Sequence, residues 1–231
     1  MNGNSYTGRR FTLALAGLIA VASMTIVLAV SSTREGHAAA DHSHGAVMSV
    51  HIGKQLRFHD AMRKLWEDHI TWTRLAIVSF AGNLPDLPAT EKRLLRNQAD
   101  IGNAIKPFYG ARAGNRVTRL LKAHINGALE LLQAAKAGDA ERLAQAKAAW
   151  YANSRQIADF LSSANRRNWP RADMRAMMRT HLDQTLKEAV DRLQGDFGAD
   201  IRDYDAVHRH ILMMADTLSG GIIEQFPRRF R

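Results

Sequence analysis

The sequence predicts an all-α protein, an antiparallel bundle of about six helices preceded by an N-terminal signal or anchor helix. Three observations carry this. From His51 to Pro227, apolar residues recur at every third or fourth position. No segment alternates apolar and polar residues in the manner of a half-buried strand. Gly and Pro clusters cut the same stretch into lengths of roughly twenty to thirty residues, joined by turns too short to do anything but reverse the chain.

The first segment runs from about 52 to 80 and stops at Gly82 and the Pro85–Pro88 turn. The second covers about 90–108, with Thr90 at its start and Pro107 and Gly110 near its end. The third covers about 115–136 and carries the stripe Val117, Leu121, His124, Ala128, Leu131 and Ala135 before Gly138-Asp139. The fourth spans about 140–163. Trp169-Pro170 breaks the chain, and Pro170 suits the first turn of the fifth, about 170–194. Gly195 and Gly198 precede the sixth, about 199–226, whose stripe is Ile201, Tyr204, His208, Ile211, Ala215, Leu218 and Ile222. Gly220-Gly221 inside it permits a bend or a close helix approach.

Three regions follow. Residues 1–40 are a signal peptide or membrane anchor: Arg9-Arg10, then Phe11 to Val30, twenty residues without a charge, then Ala38-Ala39-Ala40. The length fits a bilayer span as well as a cleaved leader, so both outcomes stand. Either exports the remainder, to the periplasm or extracellular space or anchored with the bundle outside. Residues 41–50 form a His-rich flexible linker, and 51–231 form a single helical-bundle domain.

The chain has 231 residues, 32 Lys and Arg, 22 Asp and Glu, and no cysteine. The missing cysteine excludes disulfides, thiolate metal sites and cysteine nucleophiles. The net charge of +10 invites a polyanionic partner. The basic residues are interspersed with acids, except for the tail Arg228-Arg229-Phe230-Arg231, so nucleic acid is not the expected partner. An anionic membrane surface or cell-wall polymer fits better.

Apolar stripes are informative where they carry polar residues. On the first helix, His59, Met62, Trp66, His69 and Thr73 share a seam; Met174, Met178, His181 and Thr185 share one on the fifth. Rise per residue places His124 and His181 at one level with Asp100 and Asn153, and His69 and His208 about 10 Å away. Inward His and carboxylate side chains from several helices at one level are how bundles hold metal ions. His69, His124, His181 and His208 are therefore candidate ligands for copper, zinc or iron. For any one of them alone, a core histidine that satisfies a backbone carbonyl or partners a carboxylate is the favoured reading; it is the four together that point to a site. His42, His44 and His51 form a second, weaker metal-binding cluster with His37, His59 and Met48. Glu67 and Arg74, two turns apart, admit a polar-ligand clamp or an interhelical salt bridge; Asp100 and Asn153, at the level of His124 and His181, are further ligand-binding candidates. Met174, Met177, Met178, Met213 and Met214 are expected as core fillers.

Four runs carry a resemblance: Leu65-Trp66-Glu67-Asp68-His69-Ile70-Thr71-Trp72-Thr73-Arg74, Asn97 to Gly110, Ala134 to Asp139, and Ile222 to Pro227. From about His59 to Pro227 the chain resembles an uncharacterised family of small bacterial helical proteins, some of which are labelled acetylglutamate kinase. That activity requires an α/β sheet and glycine-rich loops around ATP, and this sequence contains neither. The resemblance implies a compact family fold and supplies no catalytic residues.

The function expected from the sequence is an extracytoplasmic binding protein holding a transition metal or small ligand in the bundle core. The alternative is an envelope interaction or structural protein that uses its basic surface. A metal-dependent enzyme ranks third, because no nucleophile–base–orienter set or metalloprotease helix motif is present.

Overall fold

The structure is a computed structural model that describes residues 41–231, with side chains from Gly53 onward. The leader segment, and the side chains of His42, His44 and His51, lie outside the described residues. Among the described residues there are five α-helices, one short 3-10 turn and no strand. None of these helices is long and apolar enough to cross a membrane.

Helix α1 spans Asp41–Ala81, so the stretch 41–50, expected as a linker, is assigned to its first turns. Its inward stripe is Met62, Trp66, His69, Ile70 and Ile77. It ends where Gly82 and Asn83 turn the chain. Asn83 adopts φ 52°. Lys136 donates to the Phe80 carbonyl at 2.8 Å and to Asn83 Oδ1 at 2.6 Å, reinforcing the turn in which Asn83 N–H donates to the same carbonyl at 3.3 Å.

The segment α2, Leu87–Ala137, consists of two helical arms separated by a non-helical break at Gly110, with φ 81° and ψ 165°. Only glycine takes that conformation without strain. A straight helix would hold residues 102 and 114 about 18 Å apart. Instead, a Cβ built on Gly102 would lie 2.6 Å from the Gly114 carbonyl oxygen. The two arms, 87–109 and 111–137, are therefore folded against each other as a hairpin. The second and third expected helices are these arms, which reconciles six expected segments with five helices. Pro107, which cannot donate a backbone hydrogen bond, lies just before the break.

Gly138, at φ 66°, closes the second arm. Asp139 then caps α3, Ala140–Ala164, by accepting from the Arg142 amide at 3.0 Å. Pro170 precedes α4, Arg171–Gln194, which ends at Gly195 with φ 79°. Asp196 caps α5, Phe197–Gln225, by accepting from the Ala199 amide at 3.0 Å. The 3-10 turn Pro227–Phe230 then folds Phe230 inward against Phe58 and Phe108.

The helices close into a ring in chain order, α1 against α2, α2 against α3, and so on until α5 returns to α1. One main core runs through all five helices. At one end Trp169, 2% exposed, lies over Gly221 of α5 and donates its indole N–H to the Thr217 carbonyl at 3.2 Å. Asn165 fixes the same corner by donating to the Gly221 carbonyl at 2.8 Å. Gly221 thus makes the close approach that the Gly-Gly pair permits, while a Cβ on Gly220 would meet nothing within 4 Å.

These contacts set an order of stability for three substitutions. Gly102→Ala and Gly221→Ala should each lower unfolding free energy by about 1–3 kcal/mol through overpacking. Gly220→Ala should raise it by about 0.5–1 kcal/mol by relieving helix entropy. Urea unfolding measures all three; an unperturbed Gly102→Ala would mean that the two arms of α2 do not meet.

Candidate functional site: a histidine layer in the bundle core

Four histidines from four helical segments meet in the core: His69 from α1, His124 from the second arm of α2, His181 from α4 and His210 from α5. They are 2%, 4%, 4% and 8% exposed. His181 is the hub, with ring centres 5.8 Å from His69, 6.1 Å from His124 and 6.5 Å from His210. The local sequence explains the placement. Each ring occupies a position on a stripe whose neighbours, Ile70, Leu120, Met178 and Ile211, are buried.

The hydrogen bonds determine which ring nitrogens carry protons. Asn153 donates to the Leu120 carbonyl at 3.2 Å, which orients its amide. Its Oδ1 therefore accepts from His124 Nδ1–H at 3.0 Å, leaving the lone pair of His124 on Nε2. His210 Nε2–H donates to the Met177 carbonyl at 2.9 Å, leaving its lone pair on Nδ1. Gln98 donates to the Leu94 carbonyl at 2.9 Å, and the same nitrogen lies 3.2 Å from His69 Nδ1. Nδ1 of His181 is buried and has no partner. Burial, reinforced by the neighbouring imidazoles, lowers His69 to about 3 and His181 well below its ordinary value. Burial lowers His124 to about 4, partly offset by Asn153. These three rings are neutral at neutral pH.

A charged layer lies about 8–10 Å further along, by helical rise from His69 to Arg74 and from His181 to Glu188. Arg74 donates to both oxygens of Asp200, one at 2.8 Å, and to Glu188 at 3.1 Å. Both carboxylates are 0% exposed. Arg192 reaches Asp200 at 3.4 Å, and the Arg74 guanidinium lies over the Tyr204 ring. Burial pushes the Glu188 carboxyl up to about 7 against the pull of Arg74, and its Oε2 has no partner.

Two small apolar voids of about 40 Å³ each flank the histidines. One is lined by Trp66, Ile157, Met178 and Leu218, the other by Thr73, Ile125, Trp150 and Thr185. Organic ligands occupy pockets of about 300–1,000 Å³, so neither void admits one.

The remaining candidates fall elsewhere. His208 faces the seam between α1 and α5, where Nε2 meets Glu67 at 2.8 Å; it is not in the layer. Glu67 and Arg74 both belong to interhelical ion pairs. Asp100 is half-buried on the first arm of α2 and makes no hydrogen bond to the layer among the described residues. Met174, Met178 and Met214 fill the core, Met177 is half-buried, and Met213 is 52% exposed. Among the described residues no three His, Asp or Glu side chains are gathered closely enough to hold an ion as they stand. His210, Gln98, Glu188 and Asp200 were missed from the sequence. The signal for His210 was the enclosing set Val207, Ile211, Met214 and Leu218, a better inward stripe than the one through Ile201 and His208.

No family model, curated protein or solved structure matches this chain.

Two stability predictions follow from the two layers. His69 and His124 have folded values below their ordinary 6.5. The unfolded chain therefore takes up protons first as pH falls. Their contribution is intact above about pH 6.5 and is lost toward about 4, amounting to about 2 kcal/mol per ring by pH 5. Glu188 acts oppositely: its raised value costs stability near pH 7, and that cost disappears as pH falls toward 4.5. Urea midpoints should fall from pH 7 to 5, more steeply in Glu188→Gln and less steeply in His124→Gln. A pH-independent midpoint in all three proteins would refute neutral burial of these rings. Arg74→Ala should cost about 3–5 kcal/mol at pH 7, because it strands two buried carboxyl groups; a loss below about 1 kcal/mol in the same assay would show that Arg74 does not neutralise them.

Proposed function

We propose that this chain is a binding protein, working outside the cytoplasm, that holds one transition-metal ion among His124, His181 and His210, with His69 as a fourth neighbour. Copper, zinc and iron are the ions that imidazole donors suit. The observation that carries the reading is the hub arrangement of His181, whose unpartnered Nδ1 lies beside rings whose other nitrogens are already committed.

Two imidazoles on one ion, each nitrogen about 2 Å from it, hold their ring centres about 5–6.5 Å apart. The spacings from His181 fall in that range. Metal-bound histidines characteristically donate their second N–H to a carbonyl or carboxylate, which fixes the tautomer. Asn153 and the Met177 carbonyl do this for His124 and His210. The size of the voids favours an ion over an organic ligand. The export signal read in residues 1–40 supports the compartment.

Elemental analysis of the purified full chain, followed by titration with cupric, zinc and ferrous ions, tests this. Near-stoichiometric metal is expected. It should be lost in His181→Ala and in the His124→Ala/His181→Ala pair, with helicity retained by circular dichroism. His208→Gln, on the outer seam, should bind as the parent does. Asn153→Ala should weaken binding about 10–100-fold through loss of ring orientation. A chain that takes up none of these ions, or a His181 variant that binds as tightly as the parent, would overturn the proposal.

A further inference from the structure

The alternating helices bring four segments to one end of the bundle: 53–58, 106–116, 163–171 and 224–231. The contacts confirm that they meet. Tyr109 donates to Gln225 at 2.6 Å, Gln225 donates to the Ala164 carbonyl at 3.0 Å, and Arg229 donates to the Pro107 carbonyl at 2.7 Å. Lys54 reaches the Arg231 carbonyl, and Phe58 packs on Phe230. These segments contain eleven Lys or Arg side chains and one acid, Glu224.

The opposite end gathers 80–93, 134–144 and 190–203, which hold six Lys or Arg and eight Asp or Glu. Several of those acids are neutralised locally, as in Lys187 with Asp191 and Asp203 and Arg74 with Asp200. At the basic end, Arg112, Arg166, Arg167, Arg228 and Arg231 are exposed and take no ion pair among the described residues. The bundle is therefore polarised along its axis, with a positive end far out of proportion to its overall charge.

We infer that this end is a docking surface for an anionic phospholipid bilayer. Basic side chains clustered at a bilayer surface each gain appreciable attraction from anionic headgroups. Two further facts choose lipid over another polyanion. The N-terminal side of α1 belongs to this same end, and the sequence preceding α1, residues 1–40, holds the apolar run Phe11–Val30 and is read as a leader or anchor. Leu56, beside Arg57, is 56% exposed and adds an apolar contact at the same end. The surface is remote from the histidine layer in sequence and position, so the inference is independent of metal binding.

Because the chain has no cysteine, single-cysteine variants report cleanly. Full-length Ser163→Cys and Ala140→Cys chains, labelled with an environment-sensitive dye, are reconstituted into vesicles. One set contains phosphatidylglycerol in phosphatidylcholine; the other is phosphatidylcholine alone. The dye at position 163 should shift to the blue in the anionic vesicles only, and the dye at position 140 in neither. The shift should be lost in Arg166→Glu/Arg167→Glu/Arg228→Glu/Arg229→Glu, with helicity unchanged. It should also be lost at about 1 M salt, where the Debye length is about 3 Å. An equal shift in neutral vesicles, or an unaffected charge-reversal variant, overturns the inference. So does a position-163 response to soluble polyphosphate with none to anionic vesicles, which would instead mark a soluble polyanion as the partner.

Discussion

Two carboxyl groups with no exposed surface, Glu188 and Asp200, depend chiefly on the Arg74 guanidinium, with Arg192 reaching Asp200 at 3.4 Å. Burying a carboxylate is tolerable only when a cation and hydrogen bonds replace the lost water. Arg74 supplies both, gripping Asp200 through two nitrogens and reaching Glu188 with one of them. The fork is planar and short-ranged, so α1, α4 and α5 can satisfy it only at one relative height. That height, carried back by helical rise, sets His69, His181 and His210 side by side. The other elements are indexed in the same manner. Asn97 of the first arm donates to the Leu65 carbonyl, and Asn153 of α3 donates to the Leu120 carbonyl on the second arm. Apolar contacts alone, being non-directional, would tolerate sliding; these polar contacts do not.

Much of the bundle was legible because helical periodicity and chain breakers are local signals. Six segments were visible, and the structure draws two of them as arms of one helix bent at Gly110. Sequence spacing showed that Pro107 and Gly110 interrupt a helix. It could not show that Gly102 and Gly114 would bring the arms into backbone contact. The inward direction of His69, His124 and His181 was visible because strong apolar neighbours surround each. The start of α5 misled for a physical reason. Ile201 and Tyr204 mimic a stripe with His208, yet Ile201 is 56% exposed and the buried face runs through Val207, His210 and Met214. A charged capping turn, Asp196 to Asp203, leads into that helix, and its one buried acid, Asp200, faces inward only because Arg74 is there to receive it. That is a tertiary fact with no local signature.

The same distinction separates Glu67 from Arg74. Both lie near His69 in sequence, and either residue type can serve a ligand or a neighbour. The structure commits Glu67 to His208 on the rim and Arg74 to the buried acids. Glu67, with its side chain 44% exposed, and the partly buried Arg74 thus serve different neighbours, and the structure does not bring them together as a clamp. Among the described residues six buried polar atoms lack partners: Trp66 Nε1, Arg93 Nη1, Gln98 Oε1, His181 Nδ1, Gln184 Oε1 and Glu188 Oε2; Gln98, beside His69, and His181 belong to the histidine layer. Buried donors and acceptors are nearly always satisfied, and those that are not concentrate where a protein binds or reacts.

Stability alone does not account for the histidine layer. A bundle of this size could fill the same volume with Leu and Met and avoid desolvating four imidazoles, and comparable replacements of buried polar groups elsewhere are neutral or stabilising. Register is already fixed by Arg74, Asn97 and Asn153, so the histidines are not required for it. They add a set of nitrogen donors, held by amides and carbonyls, between two apolar voids of about 40 Å³ each. A layer that is costly to bury and redundant for register is what the proposal of a bound ion accounts for.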